Sequence, residues 1–315
     1  MLNKLNPALR SALSNTKHIY GPAKKTVVFC NARDELHIKE WAFHHLLIGF
    51  DRVVIFDHKS KKPIESVFNT IEGNQTRPRT FYYQALKRIK IINVGSMRQG
   101  SGIKMPLMNY AVSIAKGMTA DWMIYLDADE FFCLHPKYNN NVKNFLNEYP
   151  YAHLIGVNWL MFGSNYLDKE PKPGANENNH SIMESYTKSE NKLNPHVKTF
   201  VRPYEVLSAT NPHFYHIRNK RLALGMNRVN ISGNSAINDW KIPYEQSPAY
   251  IAHYVQQSLE TYIRRKGELP RDDTGTHRAM NKSIIDAHHV WYNDVENTDV
   301  KDKYSGRVKS LLYGI

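Results

Sequence analysis

From Thr26 onward the chain switches regularly between short apolar runs and longer stretches of helical periodicity. Residues 26–30 form an apolar, β-branched run, a helical stretch follows over about 35–49, and residues 52–56 are apolar again, which reads as β-α-β. A charged loop leads to a weaker helical stretch at 64–72, a strand at 89–94, a helix over about 106–118 and an apolar run at 122–126. Strands alternating with helices of about ten residues or more predict an α/β fold, with a mostly parallel central sheet covered by helices on both faces.

Past Phe132 the rhythm changes. A helix near 142–149 and a strand at 153–162 precede residues 163–180, a stretch rich in Gly, Asn, Pro and charge. Loops longer than about 12 to 15 residues inside compact domains usually serve as lids or binding loops, so this one is a candidate lid. Short strands at 196–201 and 213–217, a segment ending at Tyr254 and a helix at 258–266 give the C-terminal part a mixed character. At the other end, Leu2, Leu5, Leu9 and Leu13 recur at helical spacing among Lys4, Arg10 and Lys17, and Gly21-Pro22 closes the pattern. This basic amphipathic helix is expected to pack on the domain, with peripheral contact to an anionic membrane surface through residues 1–20 as the alternative.

With 315 residues, 42% hydrophobic and 23% charged, the composition is globular and long enough for a substantial core. No apolar run approaches the roughly 18 residues that span a bilayer, and no continuous apolar stretch opens the chain, so integral-membrane and secreted readings are set aside. Two cysteines, Cys30 and Cys133, sit in apolar segments and are read as small buried hydrophobes, which fits a cytoplasmic setting. Forty-two basic against twenty-nine acidic side chains leave +13, which favours an anionic partner. The clusters Lys59/Lys61/Lys62 and Arg264/Arg265/Lys266 are too short for a nucleic-acid arm and are read as solvated faces, so no nucleic-acid partner is expected.

Candidate chemistry concentrates at strand ends. In Tyr125-Leu126-Asp127-Ala128-Asp129-Glu130-Phe131 an apolar strand runs into three carboxylates. Side chains alternate along a strand, so Asp127 and Asp129 point the same way at the end where open α/β sheets place ligands. Two converging carboxylates repel, and a hard divalent cation with phosphate oxygens in its shell resolves the conflict; a solvated acidic turn is the plainer alternative. Asn31-Ala32-Arg33-Asp34-Glu35 ends the first strand and Asp57-His58-Lys59-Ser60 the second, at the same edge of a parallel sheet. His213 and His253 stand out among the fifteen histidines, though neither belongs to a spaced zinc motif. P-loop, dinucleotide-binding and nucleophile-elbow signatures do not occur.

In order, these segments resemble the family-2-like and family-92-like glycosyltransferases of the GT-A fold. The resemblance runs from Asn31–Glu35 through Glu40-Trp41, His44-His45, Gly49-Phe50-Asp51 and Ile55–Ser60 to Asp121-Trp122 and Leu126–Phe131. It continues with Trp159–Ser164, His196–Thr199, Arg202-Pro203, Asn211-Pro212-His213 and His253-Tyr254, and covers roughly residues 26–267. It implies three parts: an N-terminal extension at 1–25, a GT-A catalytic domain at 26–257 and a C-terminal helical extension at 258–315. It further implies a nucleotide-diphospho-sugar donor, UDP- or GDP-linked, bound Mn²⁺ or Mg²⁺, and a glycan or glycoconjugate hydroxyl as acceptor.

On that resemblance Asp127 and Asp129 hold the metal and Asp127 the donor ribose, His253 completes the metal shell with His213 second, and Asn31, Arg33, Glu35 and Asp57 hold the nucleotide. Gln256-Gln257-Ser258-Leu259-Glu260 departs from the family's usual Lys-Ser-Glu-Glu. Lys198 and Arg202, on one basic strand, are expected to add fixed positive charge near the diphosphate. An inverting reaction needs a carboxylate base near the acceptor hydroxyl, and Glu184 is the candidate, with Asp168 and Asp239 behind it. The competing readings are a metal-dependent phosphoryl-transfer enzyme, which needs a further acidic cluster, and a non-catalytic basic RNA- or membrane-binding module, which needs neither aspartate.

Overall fold

A computed structural model of the chain describes residues 20–69, 80–97, 102–171, 181–233 and 236–313. The amphipathic helix expected at 1–20 falls, except for its last residue, outside the described residues, as does the stretch 172–180 of the candidate lid.

The first half is the expected alternation. It comprises β1 (Thr26–Ala32), α1 (Ile38–Leu47), β2 (Arg52–Asp57), α2 (Ile64–Asn69), α3 (Thr80–Leu86), β3 (Ile89–Asn93), α4 (Lys104–Gly117) and β4 (Trp122–Tyr125). Then come β5 (Glu130–Leu134), α5 (Val142–Leu146), β6 (Leu154–Met161), α6 (Ile182–Ser185), β7 (Lys188–Ser189) and β8 (Asn194–Val201). A β9–β10 hairpin (Val206–Asn211, Phe214–Ile217), β11 (Ala223–Gly225) and β12 (Ala249–His253) complete the strands of the body. The C-terminal part holds α7 (Leu259–Tyr262), which widens into a π-helical turn at Ile263–Glu268, then α8 (Lys282–Ala287), β13 (Val295–Glu296) and α9 (Gly306–Tyr313).

One nine-stranded sheet carries the body, in the order β3-β2-β1-β4-β8-β6-β12-β5, with β11 added beside β6. The block β3-β2-β1-β4 is parallel throughout; β8 runs antiparallel between β4 and β6, and β5 is antiparallel to β12. This is the α/β architecture of GT-A type, mostly parallel and mixed towards its C-terminal strands. Strand alternation sorts the core into two layers. Val28, Cys30 and Ala32 of β1 pack on one face with Trp41 and Ile38 of α1, while Val27 and Phe29 pack on the other with Leu107 and Ala111 of α4. Both cysteines are buried.

Several elements lie outside the sequence reading, among them α3 and the separate strand β5. The second matters for the site. Residues 126–129 turn sharply, with the Glu130 amide donating to the Asp127 carbonyl at 3.0 Å, and the chain re-enters the same sheet four strands away beside β12. The C-terminal part is also tied to the body: β13 pairs with β7, α9 packs on α1, and the Tyr304 hydroxyl accepts from the Leu134 amide at 3.0 Å.

The α1 histidines serve the core. His44 is fully buried, its Nε2 donating to the Phe132 carbonyl at 2.8 Å, and burial pushes its pKa down to about 4. An unfolded histidine titrates near 6.5, so between about pH 6.5 and 4 the unfolded chain binds the proton that the folded chain refuses. Stability is therefore expected to fall as the pH drops through that window, by about 3 kcal/mol from His44. Urea unfolding at pH 7 and pH 4.5 checks this, with His44→Leu flattening the dependence; an equal pH response in the variant would remove the assignment.

Candidate functional site

At the C-terminal ends of β1 and β4 lies a cleft of about 360 Å³. Parallel pairing in register, Phe29 with Tyr125, brings both strand ends to one edge, so the segment after β1 and the acidic turn after β4 share a wall. Asn31, Arg33, Glu35, Asp127, Asp129, His213 and His253 all line it. The opposite wall was not anticipated from the sequence: Lys104 from the start of α4, Trp159 from β6, and Arg265, Lys266 and residues 269–273 from the C-terminal part.

The acidic turn is saturated with cations. Lys104 Nζ donates to Asp127 Oδ1, and Lys198 Nζ to Asp127 Oδ2 at 3.0 Å. Burial alone would raise the Asp127 carboxyl, yet Lys104 and Lys198 outweigh it and hold the group well below the usual carboxylate range. Asp129 Oδ2 accepts from Arg265 Nη1 at 2.8 Å, with His253 Nε2 at 3.7 Å and Lys266 Nζ at 4.0 Å. Burial again opposes ionisation, and Arg265 leads the groups that keep Asp129 charged. Glu130, fully buried, accepts from the Asp127 amide at 2.8 Å and lies 3.5 Å from Lys198; burial pushes its carboxyl upward.

Sheet register explains which basic residues arrive. β8 pairs with β4 only through Phe200 and Val201, so its earlier half overhangs the end of β4 and carries Lys198 beneath the acidic turn. Arg202 lies four residues further, about 13 Å along an extended strand, at the opposite end of the sheet. There its guanidinium is 3.6 Å from the Tyr20 ring centroid and 4.2 Å from that of Trp122, and Nε donates to the Ala152 carbonyl at 2.8 Å. The structure does not bring Arg202 to the cleft.

Nor does it bring the other expected residues beyond the wall. Asp57 accepts from the Ser60 and Ile64 amides at 3.2 and 2.9 Å, which folds its own loop onto α2. Glu184 pairs with Lys309 at 2.5 Å, Asp168 with His289 at 3.0 Å and Asp239 with Lys241 at 3.7 Å, so none of the three candidate bases lines the cleft. Arg33 does reach it, while donating through Nε to the His58 carbonyl at 2.9 Å. Glu35 meets Arg265 Nε at 3.3 Å. The run Arg264–Lys266 is a correction to the sequence reading: the Arg265 side chain is 9% exposed and faces the acid pair instead of bulk water.

Aromatic rings form a third side. The indole of Trp159 touches His253 at 4.4 Å, His213 at 5.0 Å and His196 at 5.5 Å between centroids. Burial, with Lys198 nearby, drives His213 down to about 3, so it is neutral at ordinary pH and its Nδ1 donates to the Val197 carbonyl at 3.1 Å. Residues 269–273 close over the cleft from above. The Asp272 carbonyl accepts from the Ile103 and Lys104 amides at 2.7 and 2.9 Å, and its carboxylate accepts from Asn31 Nδ2. This close passage demands a glycine at 102, where φ is +92° and a Cβ would sit 2.3 Å from the Asp273 carbonyl oxygen.

The donor set for Mn²⁺ or Mg²⁺ does not assemble as folded. Among the described residues no three His, Cys, Asp or Glu side chains group at ligand distance, and both carboxylates expected to ligate the ion already carry ammonium or guanidinium partners. An ion at Asp129 Oδ2 would have to displace Arg265.

A mostly parallel α/β sheet with a charged cleft at its β1 and β4 ends is consistent with the GT-A type of fold. The profile of glycosyltransferase family 92 matches residues 26–294, and the chain belongs to that family. A glycosyltransferase family 92 protein of Oryza sativa subsp. japonica is 27% identical over 233 residues, covering 69% of this chain and 34% of the relative. The chain thus spans about a third of that curated relative's length. Among solved structures, a UDP-glucose pyrophosphorylase complexed with UDP-glucose is similar at 13% identity, over 76% of this chain and 96% of that one, with a TM-score of 0.35. The glycosyltransferase GlyE of Streptococcus pneumoniae TIGR4 is 15% identical over 58% and 35% of the two chains, at a TM-score of 0.23. No helix among the described residues is long and apolar enough to cross a membrane.

Proposed function

We propose that the chain moves a sugar from a nucleotide-diphospho-sugar to a hydroxyl of a glycan or glycoconjugate, with the donor bound in the cleft between β1, β4 and the C-terminal arm. The observation that supports this most is the convergence of Lys104, Arg265 and Lys266 on the acidic turn in a site also lined by Asn31, Arg33 and Glu35. Breaking the bond from sugar to diphosphate builds negative charge on the leaving phosphate. Cations fixed in place before the reaction stabilise that charge without reorganising, which is where transition-state stabilisation is largest. Trp159, walled by neutral His213 and by His253, offers an aromatic surface on which a sugar ring's C–H face can rest.

A phosphoryl-transfer centre would need a second acidic cluster, and among the described residues the cleft acids Glu35, Asp127, Asp129, Asp272 and Asp273 are each held by a basic or amide partner instead. A ligand that binds only the folded state raises apparent stability, by about 2.7 kcal/mol at a hundred times its Kd. Thermal shifts against UDP, GDP, CDP and ADP and their sugars are therefore expected to single out one nucleotide class, and mass spectrometry of an acceptor-glycan panel then identifies the product. No shift with any nucleotide, alongside salt-sensitive RNA or lipid binding, would overturn this reading.

A further inference from the structure

We infer that this chain binds the donor's diphosphate with its own cations, so that donor binding needs no divalent metal ion; the inference rests on the donor-cleft reading above. Both oxygens of Asp127 and the Oδ2 oxygen of Asp129 already hold cationic side chains. One Asp127 oxygen holds Lys104 and the other holds Lys198, and Lys198 is 1% exposed, enclosed by Asp127, Glu130 and the Pro212 carbonyl. The near oxygen of Asp129 holds Arg265, itself 9% exposed and braced on its other side by Glu35. A divalent ion placed there would be packed against a guanidinium and an ammonium of like sign.

The charge balance agrees. Among the lining residues, Arg33, Lys104, Arg265, Lys266, Arg271 and Arg278 give six positive charges, against five from Glu35, Asp127, Asp129, Asp272 and Asp273, a balance of +1. An arriving diphosphate therefore meets a cleft already positive, and it competes with Asp129 for Arg265 and Lys266 by simple exchange of one anionic partner for another. Guanidinium suits this exchange, because its planar fork holds carboxylate and phosphate oxygens in the same geometry. The π-helical turn at Ile263–Glu268 carries both side chains to the same acceptor, Asp129 Oδ2, at 2.8 Å for Arg265 and 4.0 Å for Lys266.

The experiment is calorimetric titration of the full chain with UDP, GDP, CDP and ADP, once in EDTA and once with MnCl₂. One nucleotide is expected to bind in both buffers with affinities within about threefold. Arg265→Gln is expected to weaken that binding tenfold or more in EDTA, while Arg265→Lys, which keeps the charge, loses less. Binding that appears only with MnCl₂, or strengthens tenfold or more with it, overturns the inference and leaves the donor reading standing. Binding in neither buffer overturns the donor reading and the inference with it. Should Arg265→Gln fail to fold, Lys266→Gln gives the same comparison from the neighbouring cation, and an unweakened affinity there would count against the inference.

Discussion

Alanine in place of Asp127 is expected to lower the melting temperature by about 10 °C and turnover by about 10²- to 10³-fold. The stability loss follows from what is left behind. Lys198 is buried and loses its closest anion, keeping only Glu130 at 3.5 Å and the Pro212 carbonyl at 3.2 Å. Breaking a buried pair by removing one partner typically costs about 3–5 kcal/mol, because the remaining charge is uncompensated. In a domain of this size each kcal/mol moves the melting point by about 2–4 °C. The loss of turnover follows from aim: Lys104 would retain its bond to Asn31 Oδ1, at 2.9 Å, and its place over the Tyr125 ring, but would lose the anion that aims it over the cleft. Asp127→Asn separates the two effects, since an amide keeps an acceptor oxygen and shape while losing the charge. It should melt closer to the parent yet turn over as poorly as alanine. Parent-like melting of the alanine variant would show that the lysines find other partners, and the electrostatic account would fail.

The sequence made one wall of this cleft legible and hid the other, for a physical reason. Asn31, Glu35, Asp127 and Asp129 lie at or just after the ends of short apolar strands, and in a parallel sheet the ends of such strands meet at one edge without further information. Lys198 and Arg202 look equivalent in sequence, four residues apart on one basic strand. Only the register of β8 against β4 decides that the first overhangs the site while the second is clamped between Tyr20 and Trp122 at the far end. Register across a non-local antiparallel pair is set by tertiary packing, and no local pattern carries it.

The cation wall was hidden differently. Arg264-Arg265-Lys266 has the composition of a solvated helix face, and its helical spacing supports that reading. Its burial arises because residues 259–280 return across the open end of the sheet, a contact between segments more than a hundred residues apart in the chain. Glu184 shows the converse. It follows the long loop, where a base is expected, yet α6 aims it at Lys309 of α9. The boundary expected at residue 257 cuts through these contacts, since Arg265 and Asp272 complete the cleft and β13 pairs with β7. In this fold the C-terminal segment is part of the site's wall.

Glu40→Ala is the second substitution expected to have a large effect, this time without touching the cleft. Glu40 is buried on α1, and its carboxylate accepts from the Ser181 hydroxyl at 2.5 Å and from the Ile182 and Met183 amides at 2.8 and 3.4 Å. Those amides are the free donors at the start of α6, a four-residue helix too short to hold itself together by its own ladder. The carboxylate thus pins the far side of the long loop to the body, across 142 residues of sequence for the Ile182 contact. Hydrogen bonds to a charged group contribute about 1.5–3 kcal/mol each, so losing the acceptor should destabilise the chain by about 3–5 kcal/mol. Hydrogen exchange supplies the sharper readout: the Ile182 and Met183 amides should lose protection while the β1 and β4 amides keep theirs. Glu40→Gln, which leaves one carbonyl acceptor, should recover part of that protection. Uniform loss across the sheet in the alanine variant would mean that Glu40 supports the whole core rather than the anchor of one loop.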